Sequence, residues 1–310
     1  MKSFIKGVAI FFFIWFIITG IIDFYYTKDI KKQHIREIDT WERIFGDSID
    51  ANVFILGSSR AMSHYKPSII DSITGLNCYN FGLDGKTTES DIMLYNILKK
   101  HVSNYPKYVL WDIYFYSFDY ASKYGDKQFT PYLFNQEIWN SINNDNIHFT
   151  IIDKYIPLLR YWREQVFPIY NGCFKDSKKG YSNLNERWSP EGMLEAKLNP
   201  KEYTIEPELA LQFKHTIKEL KANGTNVIIV SSPFYFEGLD GVANISSIID
   251  SIQLYANQVQ CPLYNFTNDP ICYDTSFFFN AWHMNDKGAS IFSTKIAHIL
   301  DSLEKHNNNI

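Results

Sequence analysis

Three short segments of the 310-residue chain combine small residues with side chains suited to nucleophilic chemistry, and each adjoins an apolar run or a helical pattern. The first is Gly57-Ser58-Ser59-Arg60, directly after Val53-Phe54-Ile55-Leu56. Small residues there permit a tight turn, and a serine in it can project into a cleft while its own amide points at the same spot. The second is Asn80-Phe81-Gly82-Leu83-Asp84-Gly85-Lys86-Thr87, whose glycines let a backbone N–H approach a developing oxyanion. The third is Asn280-Ala281-Trp282-His283-Met284-Asn285-Asp286-Lys287-Gly288-Ala289, just before the last helical pattern. Each also has a plain structural reading. A serine after a strand commonly makes a turn or caps a helix, and loop glycines commonly only turn the chain. His283 stands apart from His64, His101, His148 and His215 because it opens a His-x-Asn-x-x-Gly stretch ahead of a helix. Arg60 either binds an anionic group in the cleft or pairs with an acidic neighbour.

The elements that must position these residues follow from hydrophobic patterning. Short apolar runs at 53–57, 77–81, 108–113, 226–230 and 263–266 read as buried parallel strands. Helical patterns lie between and after them, at 88–100, at 206–223 with Pro207 near its start and Gly224 just beyond its end, and at 286–304. Strands alternating with helices predict a three-layer α/β/α sandwich around a central, mostly parallel sheet, with ligands beyond the carboxyl ends of the strands. Between about 117 and 200 the alternation fails. That stretch holds Trp139, Tyr155, Tyr161, Trp162, Tyr170, Tyr181 and Trp188 and shows no clear strand, so it reads as an insertion over the sheet edge whose rings either pack a cap or stack on sugars. Residues 306–310 read as a flexible tail.

Taken together, the three loop segments resemble the SGNH, or GDSL-type, hydrolase superfamily in order, spacing and structural context, over most of residues 52–304. That family has Gly-Asp-Ser after its first strand, Asn-x-Gly-x-x-Gly after its second and Asp-x-x-His before its last helix. The resemblance implies a flavodoxin-like sandwich, Ser59 as nucleophile, His283 as general base, and the amides of Ser59 and Gly85 in an oxyanion hole. It further implies acyl transfer through an acyl-serine, with water or another hydroxyl as acceptor. Arg60, Asn80 and Asp274 would support the site or contact substrate. Two departures bear on activity. Asn280 stands where the family has its Asp, leaving Asp274 and Asp286 as the nearby carboxylates; and 109–114 reads Val-Leu-Trp-Asp-Ile-Tyr, without the Asn that donates to the oxyanion in the family's third block. The Gly-Ser-Ser spelling with an apolar N-terminus looks most like the branch containing polysaccharide O-acetylation and teichoic-acid alanylation proteins.

The N-terminus reads Val-Ala-Ile-Phe-Phe-Phe-Ile-Trp-Phe-Ile-Ile-Thr-Gly-Ile-Ile over 8–22, and 7–26 is long enough to cross a bilayer. A cleaved secretory signal is the other reading, but the bulky residues that follow offer no small-x-small site. Expected segments are therefore an anchor at 1–27, a juxtamembrane helix at 28–50 and the SGNH-like domain at 51–305. Lys2 and Lys6 favour a cytoplasmic N-terminus while Lys28, Lys31, Lys32 and Arg36 oppose it; long domains translocate largely regardless of charge, and an exported substrate places the domain outside the cell membrane. With 34 acidic and 30 basic residues the chain lacks a phosphate-neutralising footprint, so nucleic acid is not expected as a partner. Cys78, Cys173, Cys261 and Cys272 form no Cys-x-x-Cys pair, and neither a metal nor another cofactor is expected. Cys261 and Cys272 are near enough in sequence for a disulfide across a hairpin. Expected partners are a cell-envelope carbohydrate or other acyl-ester substrate, the lipid bilayer through residues 7–26, and a membrane acyl-donor protein. The competing expectation keeps the fold but discards catalysis, leaving a protein that binds glycan or assists envelope assembly.

Overall fold

A computed structural model describes residues 1–33, 35–119, 126–143, 149–163, 178–184, 187–190 and 192–307. His148, Tyr170, Cys173 and the last three residues of the expected tail lie outside the described residues. In chain order the elements are α1 (Lys2–Ile30), α2 (Arg36–Phe45), β1 (Val53–Leu56), α3 (Ser59–His64), α4 (Pro67–Thr74), β2 (Cys78–Asn80), α5 (Thr88–Leu98) and β3 (Tyr108–Asp112). There follow α6 (Gln136–Asn143), α7 (Ile151–Tyr155), α8 (Leu159–Arg163), α9 (Met193–Leu198), α10 (Pro207–Ala222), β4 (Asn226–Ser231), α11 (Ile245–Val259), β5 (Leu263–Asn265), β6 (Phe278–Asn280), β7 (His283–Met284) and α12 (Asp286–Asn307). The chain forms two units. One comprises Met1–Glu42 with Tyr124–Lys175, the other Arg43–Lys123 with Asp176–Ile310.

In the second unit β1 to β5 make one parallel sheet in the order β2-β1-β3-β4-β5. Its strands are apolar on both faces because helices cover both. Val53, Ile55, Tyr108, Leu110, Ile228 and Val230 face a cluster with Tyr65 of α3's C-terminus, Ile70 of α4 and Phe292, Ile296 and Leu300 of α12. On the other face Trp111 packs edge-on to Phe213 of α10 and donates its indole N–H to Asp91 of α5 at 2.9 Å. Full burial of a side chain such as Phe292 or Ile296 contributes about 1.5–3 kcal/mol, so a helix with a full apolar stripe is held down chiefly by that stripe. The expected α/β/α architecture is therefore observed. In this strand order the chain leaves β1 in one direction to β2 and, by way of β3, in the other, so a crevice opens at the carboxyl ends of β1 and β3.

The first unit carries α1, whose residues from Phe4 to Ile18 are mostly large, apolar and exposed. At 29 residues it is about 44 Å long, enough to cross a bilayer, and such a helix serves as a signal anchor or a signal sequence. Ile38, Trp41 and Ile44 are fully buried along α2, and Trp41 donates its indole N–H to Gln128 at 3.0 Å. Of the expected insertion, 124–175 groups with α1 while 176–200 belongs to the sheet-bearing unit, and the described residues hold only short helices and turns there. α12 continues through His306 and Asn307, so these two are helical rather than part of a tail. Cys261 and Cys272 are not bridged. Each is a buried free thiol turned onto a separate carbonyl, Cys261 toward Val259 O at 3.8 Å and Cys272 toward Phe266 O at 3.2 Å.

Asp91 is buried beneath the β1–α3 turn, and burial pushes its carboxyl up to about 7 despite the Trp111 hydrogen bond. The native state thus keeps a proton that the unfolded chain releases near pH 4, and stability falls as pH rises from there to about 7. Asp91→Asn is expected to raise the thermal midpoint at pH 8 by more than at pH 4. Equal effects at the two pH values, read by circular dichroism, would show that the charge costs nothing.

Candidate active site

Ser59 owes its place to the turn that ends β1. Gly57 has φ +139°, and a Cβ there would lie 2.9 Å from the Asp112 carbonyl and 3.0 Å from Ala61 Cβ, so only glycine lets α3 start this close to β3. Ser58 is the N-cap of α3, its hydroxyl accepting from the Arg60 amide at 3.3 Å. Ser59 then begins the helix with an N–H that has no intrahelical acceptor. Gly82 presses against the same turn: a Cβ on it would meet Met62 N at 2.4 Å and Ser58 O at 2.8 Å. Asn80 is not among the residues lining the crevice. Its amide donates to Ala61 O at 2.7 Å and Tyr65 O at 2.9 Å, and its oxygen accepts from Gly82 N at 3.0 Å, so it ties the end of α3 to the second loop.

His283 comes from β7, paired antiparallel to β6 in a small hairpin turning at Ala281 and Trp282. Ser59 Oγ lies 2.8 Å from His283 Nε2, and His283 Nδ1 lies 3.0 Å from Asn280 Oδ1. The Asn280 oxygen also accepts from the backbone amides of Trp282 at 3.0 Å and His283 at 2.9 Å. Two N–H donors converging on one atom require an acceptor there, so the amide oxygen faces the ring. Nδ1 therefore carries the imidazole proton and Nε2 presents its lone pair to the Ser59 hydroxyl. Burial, and then the positive charge of Arg60, lower His283 to about 4, so the ring is neutral and able to accept a proton at neutral pH. Neither neighbouring carboxylate replaces Asn280. Asp274 caps the turn at Ser276 at 2.8 Å, and Asp286 takes Lys66 Nζ at 2.7 Å and the Tyr181 hydroxyl at 2.9 Å.

Arg60 is buried and committed within the protein. Its guanidinium donates to Trp282 O at 3.1 Å and to Ser232 O and Oγ at 2.5 and 2.7 Å, lies 3.8 Å from Asp112 Oδ2, and stacks 3.4 Å above the Phe234 ring. Of the two readings open for Arg60, the pairing with an acidic neighbour is the one formed. Gly85 sits in an exposed left-handed turn, φ +64°, and is not among the residues lining the crevice. The crevice is a cavity of about 290 Å³ reached from Ser59 and His283. It is lined by the aromatic rings of Tyr114, Phe115, Tyr116, Tyr203, Phe234 and Trp282 together with Ala196, Gly238, Gly241 and Val242. No described aromatic of the insertion is among the lining residues; Tyr181 bonds Asp286, and Trp188 packs edge-on to Tyr235. Among the described residues, no three His, Cys, Asp or Glu side chains gather as a metal site would require.

Sequence reasoning passed over His64, Ser232, Asp112 and Tyr114. Asp112, at the end of β3, accepts from Ser232 N at 3.0 Å, Ser232 Oγ at 2.9 Å and Tyr65 OH at 3.2 Å. Burial pushes its carboxyl up, while Arg60 and these donors pull it back toward the ionised form. Since Ser232 Oγ donates to Asp112, it must accept from His64 Nδ1, 3.0 Å away, which leaves His64 Nε2 to accept the Met284 amide at 3.0 Å. Burial, Arg60 and His283 hold His64 well below its ordinary value, so it stays neutral. The peptide groups on either side of His283 are thus clamped by two residues of α3, Arg60 on the Trp282 carbonyl and His64 on the Met284 N–H. The helix that carries the serine also fixes the strand that carries the histidine. Tyr114 follows β3 into the cavity, and burial raises its phenol well above the usual range, so it remains a donor.

No family model matches the chain, and no curated protein matches it in sequence.

Two outcomes test this geometry. Asn280→Asp places a carboxylate against Nδ1 and should raise the His283 pKa from about 4 by more than one unit, as read from its ring resonances in an NMR titration. An unshifted titration would mean that residue 280 does not contact the ring. His64→Ala should slow the reaction of Ser59 with a fluorophosphonate by about tenfold through loss of alignment, and His64→Gln, whose amide oxygen can take the Met284 N–H, should recover part of it. Parental rates in both variants would remove the clamp from the account.

Proposed function

We propose that the protein is a membrane-anchored SGNH-like serine esterase or O-acyltransferase that acts on acyl esters of exported cell-envelope polysaccharide. The observation that carries this reading is the Ser59–His283–Asn280 relay: a hydroxyl 2.8 Å from the unprotonated nitrogen of a ring whose other nitrogen is held by an oriented oxygen. Ser59 Oγ attacks the acyl carbonyl as His283 Nε2 takes its proton; the leaving alcohol departs with that proton, and water or a sugar hydroxyl then releases the acyl group by the reverse path. The N–H of Ser59 and the Tyr114 phenol, both on residues lining the crevice, would be the donors to the oxyanion. With Asn280 neutral, the imidazolium is stabilised by a dipole alone, which predicts slow turnover rather than none.

The substrate reading rests on the cavity and on α1. Aromatic faces with phenolic hydroxyls suit a sugar ring, which offers apolar C–H faces edged by hydroxyls, and the one guanidinium among the lining residues is already committed. The exposed apolar helix supports attachment to the cell membrane, with the sheet-bearing unit outside, where envelope polysaccharide and a membrane acyl-donor protein would meet it.

A serine-reactive fluorophosphonate is expected to label the full chain and to fail with Ser59→Ala and His283→Ala. Labelling should fall as pH drops through about 4, where Nε2 gains its proton and can no longer act as base. A folded wild type that does not label at neutral pH would discard the enzyme in favour of glycan binding or assembly.

A further inference from the structure

The unit containing α1 has its polarity inverted at one place. In the α7–α8 helix pair the charged side chains of Asp153, Lys154 and Arg160 are buried, whereas Ile151, Ile152, Tyr155 and Trp162 are 58–70% exposed. The inversion is a folded arrangement. Thr150 and Asp153 form a reciprocal capping box at the start of α7, Asp153 also takes Arg163 at 2.5 Å, and Lys154 Nζ sits 4.3 Å over the Trp139 ring. In water, a contiguous group of large apolar side chains turned outward over buried charges is the reverse of what burial free energy favours.

The same helix pair is fastened to α1 at one level. Along α1 the covered face comprises Gly20, Asp23, Thr27 and Ile30, spaced at helical intervals. Pro157 lies against Gly20. Asp23 accepts from the Leu158 amide at 2.6 Å and from the Arg160 guanidinium, and Thr27 shares a 2.6 Å hydrogen bond with the Tyr161 hydroxyl. The contact runs over eight residues from Gly20 to Thr27, or about 10 Å of helix, and coincides with the end of the apolar run. This explains the charge in an otherwise apolar segment. Asp23 is an acid near the membrane boundary whose partner comes from α8, as an ionisable group at that depth requires.

We infer that α7–α8 is an interfacial element, seated in the headgroup and upper acyl layer of the bilayer beside α1, with Ile151, Ile152, Tyr155 and Trp162 turned into lipid. The occupant is lipid because the exposed face adjoins a helix whose own surface is apolar for the length of a membrane crossing. The depth agrees as well, since surface-lying helices sink about 5–10 Å and the attachment covers the last ~10 Å of the span. Trp162 and Tyr155 are of the residue types that favour that layer, each an apolar ring with a polar tip. The inference rests on α1 as a membrane span.

The test uses the full chain, with Cys173→Ser, in phosphatidylcholine–phosphatidylglycerol vesicles. An environment-sensitive fluorophore is attached in turn at Ile152→Cys, Trp162→Cys, Ile14→Cys within α1, and Gln136→Cys as an exposed polar control. Quenching lipids carry a nitroxide either near the headgroup or near the chain end. The expected result is about twofold quenching at 152 and 162 by the shallow nitroxide and little by the deep one, with 14 quenched by the deep one and 136 by neither. Deep quenching at 14 with none at 152 or 162 overturns the interfacial element and leaves the anchor standing; protection at 152 and 162 that grows with protein rather than lipid concentration overturns it in favour of a protein partner. No quenching at 14 overturns both.

Discussion

Asp112 is a carboxylate buried at the end of the central strand, and the loops of the crevice are arranged around the donors that make it tolerable there. It draws Arg60 from the first loop, both polar groups of Ser232 from the loop after β4, and the Tyr65 hydroxyl from beyond α3. Through Arg60 and Ser232 it reaches the carbonyl before His283, and through Ser232 and His64 the amide after it. Losing one partner of such a buried pair costs about 3–5 kcal/mol, because the other charge remains buried without compensation. The pair is weak evidence for stability but it constrains geometry, because its hydrogen bonds and ion pair tie three loops to one buried carboxylate. The precision of the Ser59–His283 contact is therefore set behind the two residues, in a network that neither of them joins directly.

That arrangement separates two roles which a carboxylate in a Ser-His-Asp triad performs together. Such an Asp orients the imidazole and also stabilises its cation. Here Asn280 orients, with three N–H donors on one oxygen, while the buried Asp112 carboxylate serves Ser232, Tyr65 and Arg60 rather than the ring. The Arg60 charge acts on His283 in the opposite sense and lowers its proton affinity. The site is thus built to keep a neutral, correctly tautomeric base and is poor at holding the charge that base acquires.

What was legible in the sequence is what local pattern encodes. The five apolar runs became β1 to β5 in register, Pro207 and the residues before Gly224 bounded α10, and the three loop segments carrying Ser59, Asn80 and His283 were brought to one end of the sheet. The misses share a cause, which is that a side chain's role was decided by a partner far along the chain. His64 is followed by no motif and ends a six-residue helix, yet its value comes from Ser232, 168 residues on, and Met284, 220 residues on. Asp112 lies in the 109–114 stretch, which in the sequence stands out only for lacking the family's Asn. Arg60 was evenly divided between a ligand and an acid until the fold supplied Asp112 and Phe234. Of the cavity's rings, Tyr114, Phe115, Tyr116 and Phe234 come from the loops after β3 and β4, Tyr203 from the segment before α10 and Trp282 from the β6–β7 turn, whereas the ring-rich insertion drew attention because composition is visible and placement is not.

One rule joins the crevice to the α7–α8 pair: a buried charge is drawn to a partner of opposite charge within its own unit. In the sheet-bearing unit the rule fixes a base. In the unit with α1 it places Arg160 against Asp23 and Arg163 against Asp153, and so forces the apolar residues of the same two short helices outward. Water would penalise that choice for every exposed ring and branched chain, while lipid reverses the sign of each term. Five-residue helices such as α7 and α8 have almost no stability of their own and take the conformation their surroundings reward. Their inverted polarity is the arrangement that the proposed seat in the bilayer beside α1 would favour.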